Sequence, residues 1–109
     1  MGMIKLITYK TDTGKEPLIE WLDDLDITNR NIINTRITRL RLGNFQSCKP
    51  VKGSKSGISE IVIDHGPGYR VYYGKKSLLV IILLVGGIKR TQRRDIEKAE
   101  RYWAAYQEE

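Results

Sequence analysis

The stretch LLVIILLV, from Leu78 to Val85, is the longest apolar run in this chain of 109 residues. Its apolar side chains fall in both alternating sets, so a strand formed here would bury both of its faces. Eight residues are too few for a helix that crosses a bilayer. The run therefore predicts a central strand covered on both faces and ended by Gly86 and Gly87.

Two further strands are predicted immediately before this run. Residues 69–74 alternate in the manner of a strand, and a tight turn at Lys75-Lys76 would join them to the apolar run. Residues 58–64 form the strand before that, across the turn-forming sequence Gly-Pro-Gly at 66–68. Because short turns join these three strands, they indicate an antiparallel meander.

Helices are predicted from apolar spacing and from residues that start or stop a helix. Residues 15–24 predict a short helix with Pro17 in its first turn, where a missing N–H is tolerated. Residues 28–43 predict a second helix, with Thr28 as the N-cap and Gly43 as the C-cap. These two helices would form a hairpin that packs on the sheet.

The remaining segments complete the order β-α-α-β-β-β-α. Residues 3–9 predict a first strand, and residues 44–57 a basic loop with room for a short strand. Residues 92–106 predict a last helix capped by Thr91. The fold class is a single α+β domain over residues 1–109, with a mainly antiparallel sheet packed against a helical hairpin and part of one sheet face left uncovered.

The net charge of +6 is concentrated in the middle of the chain. Residues 49–94 carry ten basic and two acidic residues, a net charge of +8, whereas residues 1–48 carry +1 and residues 95–109 carry −3. Such a distribution indicates a localised anion-binding surface. A solvated face that aids solubility explains the charge equally well.

Arg70 and Tyr72 are candidates for that surface, because strand alternation sends both to the same face. The other set is more apolar, which predicts that Arg70 and Tyr72 lie on the open face. There an arginine beside a tyrosine can hold a phosphate and stack on a base. The alternative is an ion pair from Arg70 to Asp64 or Glu60 across the hairpin.

A second candidate is the start of the last helix, where Lys89, Arg90, Arg93 and Arg94 surround Gln92. A helix N-terminus is the positive end of the helix dipole, so cations gathered there are locally unfavourable. A bound anion would explain them, since helix N-termini and Arg/Lys clusters both bind phosphate. The alternative is that these flexible side chains extend into water.

Other chemistry has little support in the sequence. A single cysteine, Cys48, and a single histidine, His65, exclude an intramolecular disulfide and a Cys/His zinc cluster. Asp23, Asp24 and Asp26 lack the spacing of a calcium loop. No metal, cofactor or membrane contact is predicted, and the absence of an apolar leader predicts a cytoplasmic protein.

Four segments carry a family resemblance. EIVIDHGPGYRVYY at 60–73 and LLVGGIKRTQRRDI at 83–96 closely resemble phage-derived killer proteins of addiction modules, on the HigB side of the RelE/ParE toxin superfamily. GKEPLIEWL at 14–22 and AERYW at 99–103 fit the same family. The resemblance extends over nearly the whole chain in the same order, and it implies a compact RelE-like domain.

The resemblance implies the toxin of a type II toxin–antitoxin module, neutralised by a helix-turn-helix antitoxin. For many relatives it implies metal-independent cleavage of ribosome-bound mRNA, in which a ribose 2′-OH attacks the adjacent phosphate and the bond from phosphorus to the 5′-oxygen breaks. This chemistry needs a base for the hydroxyl, stabilisation of the charge on the phosphorane and an acid for the leaving 5′-oxygen. By position, Arg70 matches the phosphate-binding arginine, and Lys89 or Arg90 the basic residue after the last strand. Lys52 and Lys55 match the basic loop before the strand pair.

On this interpretation the catalytic candidates are Arg70, Lys89, Arg90 and Lys52. The candidates for RNA binding are Lys49, Lys55, Tyr72, Gln92, Arg93 and Arg94. Two other functions stay open. One is a non-enzymatic inhibitor that binds DNA gyrase, as ParE-type relatives do, and the other is an inactive homologue that binds only its antitoxin.

Overall fold

The computed structural model describes residues 3–109 as one five-stranded mixed sheet with three α-helices. In chain order, the elements are β1 (Lys5–Thr8), α1 (Pro17–Asp23), α2 (Ile27–Arg41), β2 (Cys48–Pro50), β3 (Ser59–Ile63), β4 (Tyr69–Ser77), β5 (Val80–Ile88) and α3 (Gln92–Gln107). A single 3-10 turn, Lys89–Thr91, joins β5 to α3. The α+β fold class predicted from the sequence is confirmed.

The strand order across the sheet is β1-β5-β4-β3-β2. β1 pairs with β5 in parallel, and every other pair is antiparallel, which confirms the meander of β3, β4 and β5. β5 lies inside the sheet, and its side chains from Ile81 to Val85 are buried. The apolar run is therefore a central strand covered on both faces, as its composition predicts.

The hairpin between β4 and β5 turns at Leu78-Leu79, so the predicted turn at Lys75-Lys76 is wrong. β4 continues through Ser77, and the first two leucines of the apolar run lie in the turn itself. Leu78 is 91% exposed. Apolar character alone could not separate these two turn residues from the strand that follows them.

Gly86 and Gly87 lie within β5 and do not end it, contrary to the prediction. A Cβ atom at Gly86 would overlap the Trp21 ring, and one at Gly87 would overlap the Asp95 carboxylate. Trp21 belongs to α1 and Asp95 to α3. The two glycines therefore let helices on opposite faces of the sheet approach the same strand closely.

Both faces of the sheet carry a hydrophobic core. The face of Arg70 and Tyr72, which was predicted to be open, is therefore covered at its centre, whereas Lys5 in β1 and Lys49 in β2 stay exposed at its edges. The α1–α2 hairpin covers one face through a cluster of buried residues that includes Leu18, Leu22, Ile33, Ile37, Leu40, Ile61, Val71, Tyr73 and Leu83. α3 covers the other face through a cluster that includes Ile58, Tyr72, Ile82, Leu84, Ala99 and Trp103. α3 forms the layer that covers this second face, which the sequence interpretation did not assign to any helix.

The helix ends follow local signals in most places. α1 begins at Pro17, and Gly43 takes a left-handed φ of +86° just after α2, as helix-ending glycines do. α2 starts after Asp26, so the prediction of Thr28 as N-cap is wrong. Thr91 occupies the N-cap position of α3 as predicted, although its hydroxyl makes no capping hydrogen bond to the helix backbone. None of the helices in residues 3–109 is long and apolar enough to cross a membrane.

Candidate functional site

The candidate site lies at the end of the sheet where β4 begins, β5 ends and α3 starts. Arg70 stands opposite Gly87 in the strand register, and the Lys89 N–H donates to the Gly68 carbonyl at 2.7 Å. A Cβ atom built at Gly68 would lie 3.3 Å from the Lys89 Cβ and 3.7 Å from an Arg70 guanidinium nitrogen. Arg70 and Lys89, far apart in sequence, are therefore neighbours around this glycine.

Arg70 is buried in a polar cluster under the first turn of α3, with 6% of its surface exposed. Its Nε lies 3.4 Å from Oε1 of Glu60, and its Nη1 donates to the Tyr69 carbonyl at 3.0 Å. The Gln92 side-chain amide donates to the same Glu60 oxygen at 3.3 Å. The ion pair with Glu60 that the sequence left as an alternative is the arrangement that the structure contains.

The predicted exposure of Arg70 and Tyr72 is wrong, although their predicted shared face is correct. Tyr72 pairs with Glu60 across the strands and is completely buried in the core under α3. Within residues 3–109 its hydroxyl has no hydrogen-bond partner, and burial raises its pKa, with Glu60 and Asp95 adding to the shift. In this arrangement the Tyr72 ring is not accessible for stacking on a base.

Glu60 is the residue that sequence reasoning treated only as a possible partner for Arg70. Burial raises the pKa of its carboxyl, while Lys49, Arg70 and the Gln92 hydrogen bond act in the opposite direction. Lys49 stands directly opposite Glu60 in the β2–β3 register. The signal for Glu60 was available in the charge count, because it is one of only two acidic residues in the basic segment 49–94.

The start of α3 combines exposed cations with one buried carboxylate. Asp95 is buried, and the Thr91 hydroxyl donates to it within the first helical turn. A negative charge at this position is favourable because it faces the positive end of the helix dipole. The four cations that the sequence singled out at this start are all exposed: Lys89, Arg90, Arg93 and Arg94.

The remaining basic candidates are separated by α3 into two grooves. Arg94 lines a groove of about 560 Å³ between α1, β5 and α3, together with Lys15 and Lys98. Lys52 and Lys55 line a groove of about 430 Å³ between the β2–β3 loop and α3. Arg94 and the two loop lysines therefore lie beside α3 in separate grooves and not on an open sheet face.

Two of the cations counted in the basic segment lie away from the site. Lys75 and Lys76 are near the hairpin end of β4, with the ammonium groups 4.7 Å and 5.7 Å from the ring centres of Phe45 and Tyr106. At about 3.3 Å per strand residue, Lys75 lies roughly 17 Å along β4 from Arg70. The net charge of +8 therefore overstates the charge at the site.

The described residues offer little other catalytic chemistry. Burial raises the pKa of the Cys48 thiol, which disfavours the reactive thiolate. No group of three or more His, Cys, Asp or Glu side chains within residues 3–109 is arranged to hold a metal ion. What the site does provide is positive charge, and positive charge can bind anions and stabilise negative charge that develops during a reaction.

The fold and the basic helix start define a small RelE-like α+β protein. Residues 20–104 match the family described as Phage derived protein Gp49-like, and the chain belongs to this family of toxin-like addiction-module proteins. An uncharacterized protein of Haemophilus influenzae is 44% identical over 81 residues, which covers 73% of this chain and 79% of that relative. The toxin-like family predicted from the sequence is confirmed, and the HigB-like assignment stays a prediction.

Proposed function

We propose that this chain is the HigB-like toxin of a type II toxin–antitoxin module and that it cleaves ribosome-bound mRNA without a metal. The observation that carries the proposal is the exposed cation cluster at the start of α3, next to Arg70, in a member of a phage-derived toxin family. Its expected partners are a helix-turn-helix antitoxin, the ribosome and mRNA. Its expected compartment is the cytoplasm.

The exposed cations have a direct role in this proposal. Lys89 and Arg90 stabilise the charge that builds up on the phosphate as the 2′-OH attacks it and the 5′-oxygen leaves. Arg93 and Arg94 neutralise neighbouring phosphates. Lys49 approaches the same site from β2. Loss of either kind of contact would lower activity on every RNA sequence, because neither contact reads a base. Loss of a phosphate contact would also make binding less dependent on salt, whereas loss of a catalytic contact would lower the cleavage rate even of bound RNA.

Lys52 and Lys55 are accessible to the proposed RNA substrate, whereas Arg70 and Gln92 are engaged with Glu60. Lys52 and Lys55 reach the RNA from the loop beside α3. The Gln92 amide donates a hydrogen bond to Glu60, and Glu60 forms an ion pair with the buried Arg70. Direct contact between Arg70 and a phosphate therefore requires Gln92 or the neighbouring turn to move. In this proposal a phosphate competes with Glu60 for Arg70.

Tyr72 has a structural role in the proposed function. Its ring is completely buried among the core residues beneath α3, so it supports the position of that helix without contacting RNA. This structural role replaces the base-stacking role that strand alternation predicted for Tyr72. Aromatic stacking on bases would require a ring that reaches the surface.

The proposal is tested by inducing the protein in cells and mapping both mRNA 5′ ends and DNA supercoiling. Growth arrest with new mRNA 5′ ends and normal supercoiling is expected. Lys89→Ala with Arg90→Ala should abolish the new ends, whereas the control pair Lys75→Ala with Lys76→Ala removes the same charge far from the site and should keep them. Intact transcripts with blocked gyrase would overturn the proposal.

A further inference from the structure

The loop between β2 and β3 is fastened to α3 by one carboxylate, Glu100. Its Oε1 accepts hydrogen bonds from the Ser54 hydroxyl at 2.5 Å and from the Ser56 hydroxyl at 2.7 Å. These two serines lie on either side of Lys55, and Lys52 precedes them. One helix side chain therefore holds the centre of the segment that carries both loop lysines.

The same loop is closed on itself by hydrogen bonds. The Val51 N–H donates to the Ile58 carbonyl at 3.0 Å and closes the loop at its base. The Ser54 hydroxyl oxygen also accepts from the backbone N–H groups of Gly57 and Ile58, each at 3.2 Å. Ser54 thus links the folded loop to Glu100, so the loop shape and its attachment depend on one hydroxyl.

A second contact fixes the loop one helical turn later. The Trp103 indole N–H donates to the Ser56 carbonyl at 3.2 Å, and the Trp103 ring packs directly on Gly74 of β4. The loop is rich in glycine and serine, so without such contacts its ordering would cost considerable conformational entropy. Both lysines stay exposed while the backbone that carries them is held.

An acidic residue in this position needs an explanation, because it lies among cations that are proposed to bind RNA. Its negative charge opposes phosphate binding at Lys52 and Lys55. Hydrogen bonds from hydroxyl groups to a carboxylate are stronger than bonds between neutral groups. Its hydrogen bonds to the loop therefore explain why an acidic residue is present at position 100, whereas a contribution to the surface charge does not.

We propose that Glu100 is a positioning residue that holds Lys52 and Lys55 beside α3, on the side of the helix that carries Arg93. Arg93 and Glu97 are four residues apart, so they share that side of the helix, and Glu97 lines the same groove as the two lysines. The claim that this position serves RNA binding rests on the proposed function. The attachment of the loop to Glu100 does not, and the positioning and the attachment are tested separately.

The fastening is tested with trypsin, which cleaves after lysine. Cleavage after Lys52 and Lys55 should be at least about tenfold faster in Glu100→Ala, because this variant loses two charge-assisted hydrogen bonds and the loss of one alone is expected to give about that factor. Glu100→Gln keeps an acceptor oxygen and should stay closer to the wild type. The matched control is Glu97→Ala, one turn earlier in the same groove. Equal cleavage rates in Glu100→Ala and Glu97→Ala, with equal melting temperatures, would overturn the fastening.

The positioning is tested by the binding of a short single-stranded RNA at fixed salt. Glu100→Ala should weaken binding, and adding Lys52→Ala with Lys55→Ala should weaken it little further, because the lysines are already misplaced. Fully additive losses, or tighter binding by Glu100→Ala, would overturn the positioning. A wild-type protein that binds no short RNA would overturn this positioning. The proposed action on ribosome-bound mRNA is decided separately by the mapped mRNA ends, and the fastening by the trypsin rates.

Discussion

Arg70 and Glu60 face each other 3.4 Å apart beneath the first turn of α3, and both are buried. Removal of one partner from a buried ion pair leaves the other charge without compensation, which costs far more than the pair contributes. Arg70 therefore affects both stability and the proposed RNA contact. A loss of toxicity in an Arg70 variant would not by itself demonstrate an RNA contact.

We expect Arg70→Ala to lower the free energy of unfolding by about 3–5 kcal/mol, since it leaves Glu60 buried and unpaired. Combining it with Glu60→Gln should recover part of that loss, because the neutral amide is easier to bury. Urea unfolding of the single and double variants measures both effects. A double variant that is less stable than Arg70→Ala alone would contradict the account of this pair.

Glu60 also predicts a pH dependence of stability. Its folded-state pKa is raised above the ordinary 4.5 because of burial. A raised folded-state pKa means that the contribution of Glu60 is complete below the unfolded value and is lost as the pH rises through the folded value. The wild type should therefore lose stability relative to Glu60→Gln as the pH rises above 4.5.

The measurement compares the free energy of unfolding of the wild type and Glu60→Gln at each pH. Taking the difference between the two proteins removes the titration of all the other acidic groups, provided that they are far from position 60. A difference that does not change with pH, or one that changes in the opposite direction, would show that burial does not dominate the pKa of Glu60.

At the scale of the elements, the two ends of the apolar run behave differently. Leu78 lies in the hairpin turn and is almost fully exposed, whereas Leu84 is completely buried under α3. Leu84→Ala should cost about 2–5 kcal/mol through lost burial and cavity formation. Leu78→Ala should change stability by less than about 0.5 kcal/mol. Comparable losses from these two substitutions in urea unfolding would contradict the turn position.

The sequence was sufficient for most elements because their signals are local. Apolar spacing located every helix, and alternation placed Arg70 and Tyr72 on one face. The turn was misplaced because Lys75 and Lys76 are polar, yet they extend β4 with their ammonium groups over aromatic rings. Gly86 was read as a terminator because its role depends on Trp21, which lies far away in sequence.

The site was less predictable because it depends on how whole layers pack. The buried stripe of α3 was visible in the sequence through Ala99 and Trp103, but a stripe does not indicate which sheet face it will cover. Once α3 covers the face of Arg70, that arginine becomes buried and Glu60 becomes its partner. The four cations at the helix start are exposed, and their role in anion binding stays a prediction.

At the scale of the whole molecule, the basic segment does not form one continuous surface. The sheet has a core on each face, and Arg94 lies in one groove beside α3 while Lys52 and Lys55 lie in another. Lys75 and Lys76 lie near the distant hairpin end of β4. The proposed activity therefore depends on where a cation lies and not on the total charge. A generally basic protein that binds RNA without specificity would instead depend on its total charge.

The most direct measurement adds purified protein to a reconstituted translation system and maps the ends of the ribosome-bound mRNA. The wild type and the Lys75→Ala, Lys76→Ala control are predicted to cut the message during translation, and Lys89→Ala with Arg90→Ala is predicted to leave it intact. Intact mRNA with the wild-type protein, or equal cutting by all three proteins, would contradict the claim that the start of α3 acts on RNA.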